Sequence, residues 1–198
     1  MIAAAREIAE REGADGLSLR RLASALGVAP NAIYSHVPSK TALLDEVLED
    51  IRGDIEIPDL ETGDWRDALV ALMTSSRRVV AAHPTLIPLF LGRPARGRNG
   101  RRLGEAALAL LERGAIEGER AVEALRALLV FTLGFAAFEA PRRDDPDPEG
   151  RRAASEAAFA ADAELPRTRA AAPVLARNAD DRTFERGLRW LIAGIQTS

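Results

Sequence analysis

The chain has 198 residues, of which 47% are hydrophobic and 29% charged, and its formal net charge is −3 at pH 7. This composition is typical of a soluble globular protein and excludes wholesale disorder, and the lack of cysteine excludes disulfides, thiolate metal sites and thiol nucleophiles. We find no run of about 18 apolar residues that predicts a transmembrane helix, and the charged N-terminus lacks the apolar core of a secretory signal, so we expect a cytoplasmic protein.

Helical periodicity starts at the N-terminus. A first helix is predicted over residues 1–12, and Gly13 would end it. Ser18 is a natural N-cap for a second helix, and Gly27 would end that helix in the left-handed conformation. Pro30 suits the first turn of a short third helix, which the next proline would end.

A longer fourth helix is predicted after the N-cap Ser39 and would continue to about Ile57. Its apolar stripe consists of Leu43, Leu44, Val47, Leu48 and Ile51. The second and third helices have the spacing of a helix-turn-helix: Ala23 is small where the helices come close, Gly27 makes the turn, and Ile33 fills the crossing.

The segment from Gly16 to Leu44 contains no Asp or Glu, although the rest of the chain is rich in both. It carries the only tyrosine, Tyr34, and the only lysine, Lys40. A segment that approaches phosphates would lack carboxylates in this way, and a solvated face that lacks acids by chance is the alternative. A recognition helix in the major groove needs small residues and polar tips, which this third helix offers.

The Pro- and Gly-containing sequence IPDLETGDW follows the fourth helix, and we place the domain boundary there. The division is an N-terminal domain over 1–46, the rest of the connecting helix over 47–57, and a C-terminal domain over 58–198. In this last part helices are predicted over 64–83, 84–91, 103–113, 119–140, 151–163 and 180–196. The helix over 119–140 is apolar nearly all round, so both of its faces should be buried.

The segment LSLRRLASALGVAPNAIYSHVPSKTALL from Leu17 to Leu44 resembles the DNA-binding head of the TetR family of transcriptional repressors. Its L-R-x-L-A-x-x-L-G-V entry, Y-x-H-V ending and S-K-x-x-L-L continuation carry the resemblance together. FLGRPARG at 90–97, FTLGFAAFE at 131–139 and FERGLRWLIAGI at 184–195 are similar to the tetracycline-repressor branch. The fold class implied is all-α, with a three-helix helix-turn-helix head and a C-terminal helical bundle for ligand binding and dimerisation.

The resemblance implies DNA-contacting roles for residues of the head. Arg20 would contact a base or phosphate, the start of the third helix would face base edges, and a clamp of three side chains would hold phosphates. The predicted DNA-binding residues are Ser18, Arg20, Arg21, Pro30, Asn31, Ala32, Tyr34, Ser35, His36 and Lys40. Packing of the Tyr34 ring against the first helix is the alternative for that residue.

The same resemblance guides the prediction for the ligand. Phe90 stands where drug-binding members of the family have a histidine that ligates magnesium, and Phe138 stands where they have a helper carboxylate. We therefore expect no metal site, no cofactor and a mainly hydrophobic effector. The predicted lining is Leu72, Met73, Ser76, Phe90, Phe131, Phe135 and Phe138, which is also what plain core would contain.

The helices over 119–140 and 180–196 are expected to meet the same helices of a second chain, because a palindromic operator requires a dimer. A monomeric bundle core is the alternative. The predicted dimerisation residues are Leu128, Gly134, Leu188, Leu191, Ile192 and Ile195.

The sequence thus predicts a ligand-responsive repressor that binds a palindromic operator as a homodimer, with no membrane partner. An enzyme is disfavoured, since the two histidines lie far apart and no nucleophile–base pair or catalytic residue is recognised. A third possibility is a helical ligand-binding or interaction protein that has lost operator binding. It stays open because Met1 lies almost inside the first helix, where the family usually has further residues.

Overall fold

The computed structural model describes residues 1–142, 145–177 and 180–197, and within these ranges the protein is helical and has no strand. The N-terminal head and its connecting helix comprise α1 (Ile2–Gly16), α2 (Leu19–Leu26), α3 (Pro30–Tyr34) and α4 (Lys40–Gly53). The body comprises α5 (Trp65–Ala81), α6 (Ile87–Gly92), α7 (Arg98–Arg113), α8 (Gly118–Glu139), α9 (Pro148–Ala160), α10 (Pro166–Leu175) and α11 (Asp181–Thr197). The predicted all-α fold class is confirmed.

The local signals that define the head are present in the structure. Ser18 caps α2 by accepting a hydrogen bond from the backbone N–H of Arg21, and Ser39 caps α4 in the same way through Ala42. Gly27 ends α2 with φ 66° and ψ 29°, the left-handed conformation that was predicted. Gly13 has φ 72° and kinks α1, but one more helical turn follows it before the helix ends.

The third helix is shorter than predicted, and its regular α-helical part ends at Tyr34. The backbone N–H groups of His36 and Val37 still donate to the carbonyl of Ile33, so a final turn brings the chain to the next proline. Ile33 and Val37 are both 3% exposed and hold this segment on the core of the head.

The connecting helix α4 ends at Gly53, four residues before the predicted end. Beyond it, the chain runs in non-helical conformation, and the backbone N–H of Glu56 donates to Oγ of Ser75 on α5 at 3.0 Å. Pro58 disfavours the helical conformation at Ile57, so the helix could not have continued through the predicted end. The predicted stripe of α4 is buried as expected.

The core of the head continues into the body. One apolar cluster contains Leu43 and Ile51 of α4 together with Val80, Leu86 and Phe90 from the body. A second cluster fills the space between α5, α7, α8 and α11, and α5 lies at its centre. The head and the body are therefore coupled by packing as well as by α4, and the division into 1–46 and 58–198 stays a prediction.

Two parts of the body differ from the prediction. Helix α7 begins at Arg98, five residues earlier than predicted, because Oε2 of Glu49 on α4 accepts the first backbone N–H groups of that helix. Helix α10, which contains Pro173, was not predicted at all. It packs mainly on α9, and α9 has no buried residue within the described part of the chain.

Helix α8 buries one face and exposes another. Ala121, Ala124, Leu128, Thr132 and Ala136 form the buried face. The opposite face exposes further apolar side chains, which are Val122, Leu129, Val130 and Phe138. By length and composition alone the stretch Gly118–Arg142 could also cross a membrane, which the sequence analysis did not indicate. In the folded chain it packs on α5, α6, α7 and α11.

Candidate functional site

The head presents an exposed polar surface built by α2 and α3. The predicted recognition residues Pro30, Asn31, Ala32, Tyr34, Ser35 and His36 are all exposed. Tyr34 is 49% exposed, so its side chain is only partly packed on the head. Because Ile33 and Val37 face the core, the intervening side chains point outwards.

Two of the predicted DNA-contacting residues also have structural roles. The Ser18 hydroxyl oxygen accepts the N-cap hydrogen bond of α2 from Arg21 at 3.1 Å. The Ser35 hydroxyl donates to the Ala32 carbonyl at 2.8 Å, which fixes the end of α3. Their hydroxyl groups are therefore already used within the head, and any contact with DNA would be shared with these roles.

The basic side chains of the head differ in what surrounds them. Arg20 is exposed, and none of the hydrogen bonds or ion pairs found among the described residues involves its guanidinium. Arg21 donates from Nη2 to Oε1 of Glu12 at 2.6 Å, so part of its charge is compensated by α1. Nζ of Lys40 lies 3.4 Å from the carbonyl oxygen of Asp15 at the end of the same helix. The segment without acids thus meets the Glu12 carboxylate and the Asp15 backbone carbonyl of α1.

An apolar cavity of about 280 Å³ lies in the body next to α4. It is lined by Arg52, Ile55, Leu72, Met73, Ser76, Val80, Phe90, Arg93, Pro94, Ala95, Gly100, Leu103, Gly104, Leu125, Leu129 and Leu133. Four predicted ligand-contacting residues are in this lining: Leu72, Met73, Ser76 and Phe90. The Ser76 hydroxyl donates to the Leu72 carbonyl at 2.8 Å, so it adds little free polarity to the wall.

Three other predicted ligand residues do not line this cavity. Phe131 and Phe135 pack on Phe184 of α11, with ring centroids 5.5 and 5.0 Å from it, and they border a separate groove between α8 and α11. Phe138 is 56% exposed, and the Arg142 guanidinium lies 4.0 Å from the centre of its ring. The three lie outside this lining because apolar periodicity does not show which face of α8 meets the cavity, and their contact with a ligand stays a prediction.

Sequence reasoning missed the charged residue of the cavity wall, Arg52, which is 7% exposed. Its Nη1 donates to Oε1 of Glu49 at 3.1 Å, and its guanidinium carbon lies 5.3 Å from the centre of the Phe90 ring. Burial lowers the pKa of Arg52, against the raising effect of the Glu49 carboxylate. The available signal was position, since Arg52 follows Leu48 by four residues on the apolar stripe of α4.

The predicted dimerisation residues fall into two groups. Leu128, Leu188 and Ile192 are at most 2% exposed within a single chain, so they belong to its own core and the prediction was wrong for them. Gly134 is exposed, and Leu191 and Ile195 are half-buried.

The most exposed apolar residue near the predicted interface was missed. Trp190 is 71% exposed, and it lies with Leu191 on the groove that Phe131 and Phe135 border. Val130 of α8 is 66% exposed. Contiguous exposed apolar surface marks interaction sites, so the groove that Trp190 borders is a candidate interface.

Among the described residues no group of three or more His, Asp or Glu side chains is placed to hold a metal ion. His83 lies between Glu10, at 2.9 Å from Nδ1, and Arg6, at 3.2 Å from Nε2. The Arg6 guanidinium also pairs with Asp50 and Asp54 of the α4 region. This charged cluster ties α1 to α4 and to the end of α5, which gives His83 a structural role.

Two family models match the chain. The model described as bacterial regulatory proteins, tetR family, matches residues 1–47, and the model of the tetracyclin repressor-like C-terminal domain matches residues 57–198. An HTH-type transcriptional regulator of Saccharopolyspora erythraea is 30% identical over 196 residues, which is 98% of this chain and 82% of that protein. The class C tetracycline repressor protein of Escherichia coli is 29% identical, over 99% of this chain and 89% of the repressor.

Solved structures show the same similarity. The structure of the TetR family protein ActR from Streptomyces coelicolor in complex with actinorhodin matches with a TM-score of 0.87 and 29% identity. The match covers 99% of this chain and 94% of ActR.

Proposed function

The chain belongs to the tetR family of bacterial regulatory proteins, and on that premise we propose that it is a repressor which binds a palindromic operator as a homodimer and is released by a small, mainly apolar effector. One arrangement carries this proposal. The single helix α4 has the exposed helix-turn-helix surface at its N-terminal end and Arg52, in the wall of the apolar cavity, near its C-terminal end.

The head supplies the contacts to DNA. Asn31 and Ala32 at the start of α3 would face base edges, because the N-terminal residues of a recognition helix do so in helix-turn-helix proteins. Tyr34, His36 and Lys40 would donate to phosphates, and Arg20 would contact a base or a phosphate. The exposure of these side chains supports the assignment. The proposed domains are 1–46 for DNA binding and 58–198 for effector binding and dimerisation, joined through 47–57.

Dimerisation would place two recognition helices about 34–36 Å apart, the spacing of successive major grooves. The exposed apolar side chains of α8 and α11, with Trp190 the most prominent, support an interface of these helices with their copies in a second chain. Such an arrangement would bury the face of α8 that a single chain leaves in water.

The cavity would bind the effector. Among the described residues its lining contains no Asp, Glu or His, and this supports an effector that binds without a metal ion. The complex of ActR with actinorhodin supports a small molecule as the ligand, since ActR is similar over nearly its whole length. We further propose that the protein is cytoplasmic, does not catalyse a reaction and has no membrane partner.

A gel shift with DNA from upstream of the protein's own gene tests this function. We expect a specific complex. Lys40→Ala should weaken this complex without changing base preference, and it should reduce the slope of log affinity against log salt concentration by about one. Lys40→Arg keeps the charge and is the matched control. A dimer that binds a small apolar molecule but retards no specific DNA would instead be a helical binding protein without operator recognition.

A further inference from the structure

We propose that the effector carries an anionic group and that Arg52 of α4 binds this group at the wall of the cavity. This inference rests on the proposed function, since it names the chemical class of the molecule that occupies the cavity. The effector is then a compact apolar acid, with its carboxylate or other anion at α4 and its apolar part against α5, α7 and α8.

Most N–H donors of the Arg52 guanidinium have no hydrogen-bond partner among the described residues. Nη1 is its only nitrogen with a hydrogen-bond partner among the described residues, and that partner is Oε1 of Glu49. An arginine offers five N–H donors, and a carboxylate can take two of them in parallel. Only 7% of the residue is exposed, and none of these unpaired nitrogens is among the fully enclosed polar atoms of the described residues, so they are open to the cavity that Arg52 lines and available to a ligand anion.

Glu49 does not interact with Arg52 alone, because its carboxylate also accepts hydrogen bonds from the backbone of α7. Its Oε2 accepts the backbone N–H of Asn99 at 2.9 Å and lies 3.4 Å from that of Gly100, both in the first turn of α7. The carboxylate is therefore shared between a guanidinium and the positive end of a helix. The other carboxylate that raises the pKa of Arg52, that of Asp45, pairs with Arg93.

The other arginine of the lining, Arg93, is less suited to this role. Its Nη1 pairs with Asp45 at 2.7 Å and lies 3.4 Å from the carbonyl oxygen of Thr41, so it is engaged along α4. The remaining lining is almost wholly apolar and includes Leu72, Met73 and Phe90. One charged contact in an otherwise apolar cavity selects a molecule with one anionic end.

The position of Arg52 also explains how ligand binding in the cavity would affect the DNA-binding head. Arg52 lies in the last turn of α4, and the first residue of that helix is Lys40, which is assigned to a phosphate. An anion bound at Arg52 would lie beside the Glu49 carboxylate that also holds the first turn of α7, and it would so act on the link between α4 and α7. A ligand that prefers one tilt of α4 shifts the spacing of the heads by its differential affinity.

A matched pair of probes tests the charge. 1-Naphthaleneacetate and its neutral analogue 1-naphthaleneacetamide have nearly the same shape, and their binding to the full-length protein can be measured by calorimetry. We expect the anion to bind at least about tenfold more tightly than the amide, since hydrogen bonds to a buried charge contribute on that scale.

Variants then locate the preference. Arg52→Met should remove the preference for the anion. It should weaken binding of the anion about tenfold and leave binding of the amide unchanged. Arg52→Lys, which keeps the charge but loses the paired donors, should retain part of it. Arg101→Met removes an exposed cation of α7 and is the control that should behave as the wild type. If Arg52→Met does not fold, the reduced preference of Arg52→Lys decides the point.

A cavity-filling variant separates failure of this inference from failure of the proposed function. Gly104 lines the cavity, and a Cβ added there meets no atom within 4 Å, so Gly104→Leu fills the space without a clash of its first atom. Equal affinities for the two probes, both lost in Gly104→Leu, would overturn the role of Arg52 and leave the apolar cavity as the effector site. Binding that persists in Gly104→Leu would overturn the cavity assignment itself.

Discussion

A Cβ atom added to Gly187 on α11 would lie 2.5 Å from Cζ of Phe131 on α8. The two helices can therefore approach this closely only because residue 187 has no side chain. The Phe131 ring stacks on Phe184 with centroids 5.5 Å apart and lies 5.8 Å from Phe135, so moving it aside would disturb both ring contacts.

Gly187→Val should lower the free energy of unfolding by about 1–3 kcal/mol, the usual cost of overpacking a well-packed contact. Chemical denaturation followed by circular dichroism measures it. Gly104→Ala is the control, because its Cβ meets open space and alanine raises helix stability by up to about 1 kcal/mol. A Gly187→Val protein as stable as the wild type would show that α8 and α11 are less closely packed.

Trp190→Arg should turn the dimer into a monomer. The side chain is 71% exposed in one chain, so the substitution leaves the monomer core intact but would bury an unpaired charge in the interface. Sedimentation at micromolar concentration measures the change, and circular dichroism checks that the helices remain. Leu91→Arg, at a 55% exposed position on α6, is the matched control and should stay dimeric. A wild type that sediments as a monomer contradicts the interface.

Most of the head could be predicted from the sequence, because its signals are local. The two serine caps and the left-handed Gly27 each depend on residues within one helical turn, and the structure has all three. The buried stripe of α4 follows from helical spacing alone. By contrast, the pairing of Arg21 with Glu12 brings together residues from two helices, and no spacing rule indicates it.

The body was predicted less well, because its details depend on contacts between distant segments. Helix α7 starts early because Glu49, fifty residues away in sequence, caps it. Arg52, which pairs with the same Glu49, is also buried, although an arginine in a sequence normally indicates the surface. For α8, apolar residues occur all round the helix, so the sequence could not distinguish Leu128 in the core from Val130 in water.

Glu12→Gln should increase affinity for DNA. Oε1 of Glu12 accepts from Arg21 at 2.6 Å, so the substitution removes a negative charge beside the recognition surface and leaves only a neutral acceptor for the guanidinium. At low salt we expect about a two- to fivefold gain that fades at high salt, as for charges near a solvent-exposed surface. Fluorescence anisotropy with labelled DNA measures it, and Glu105→Gln on α7 is the control. Weaker binding would mean that Glu12 holds Arg21 in its productive position.

The free energy of unfolding should decrease as the pH is lowered, because of the protonation of His83. Burial lowers the pKa of this imidazole, and Arg6 lowers it further against the carboxylates of Glu10 and Asp54. The unfolded chain, with an ordinary histidine pKa near 6.5, therefore takes up the proton first as the pH falls. The stabilisation is complete above that value and is lost as the pH falls through the folded pKa.

The free energy of unfolding should accordingly decrease between pH 7 and pH 5, and His83→Gln should make that decrease smaller. Urea denaturation across this range measures both proteins. His36→Gln, which changes the exposed histidine of the head, serves as the control substitution. An unchanged slope in His83→Gln would show that other groups of the junction dominate the pH dependence.

The junction of α4 and α7 depends on Gly97. This residue has φ −73° and ψ −179°, a backbone conformation that alanine adopts freely, but a Cβ there would overlap the Glu49 carboxyl group. Gly97→Ala should therefore displace the carboxylate that caps α7 and lower the free energy of unfolding by about 0.5–2 kcal/mol, the usual value of a cap.

A double-mutant cycle identifies the cause. If Gly97→Ala acts by displacing Glu49, then Glu49→Ala should cost much less in the Gly97→Ala background than in the wild type, because the cap is already lost. Gly92→Ala is the control partner for the cycle, since its Cβ meets no atom within 4 Å, and its effect should add to that of Glu49→Ala. Additive costs for Gly97→Ala and Glu49→Ala would show that the two residues act independently and that Glu49 does not hold α7 to α4.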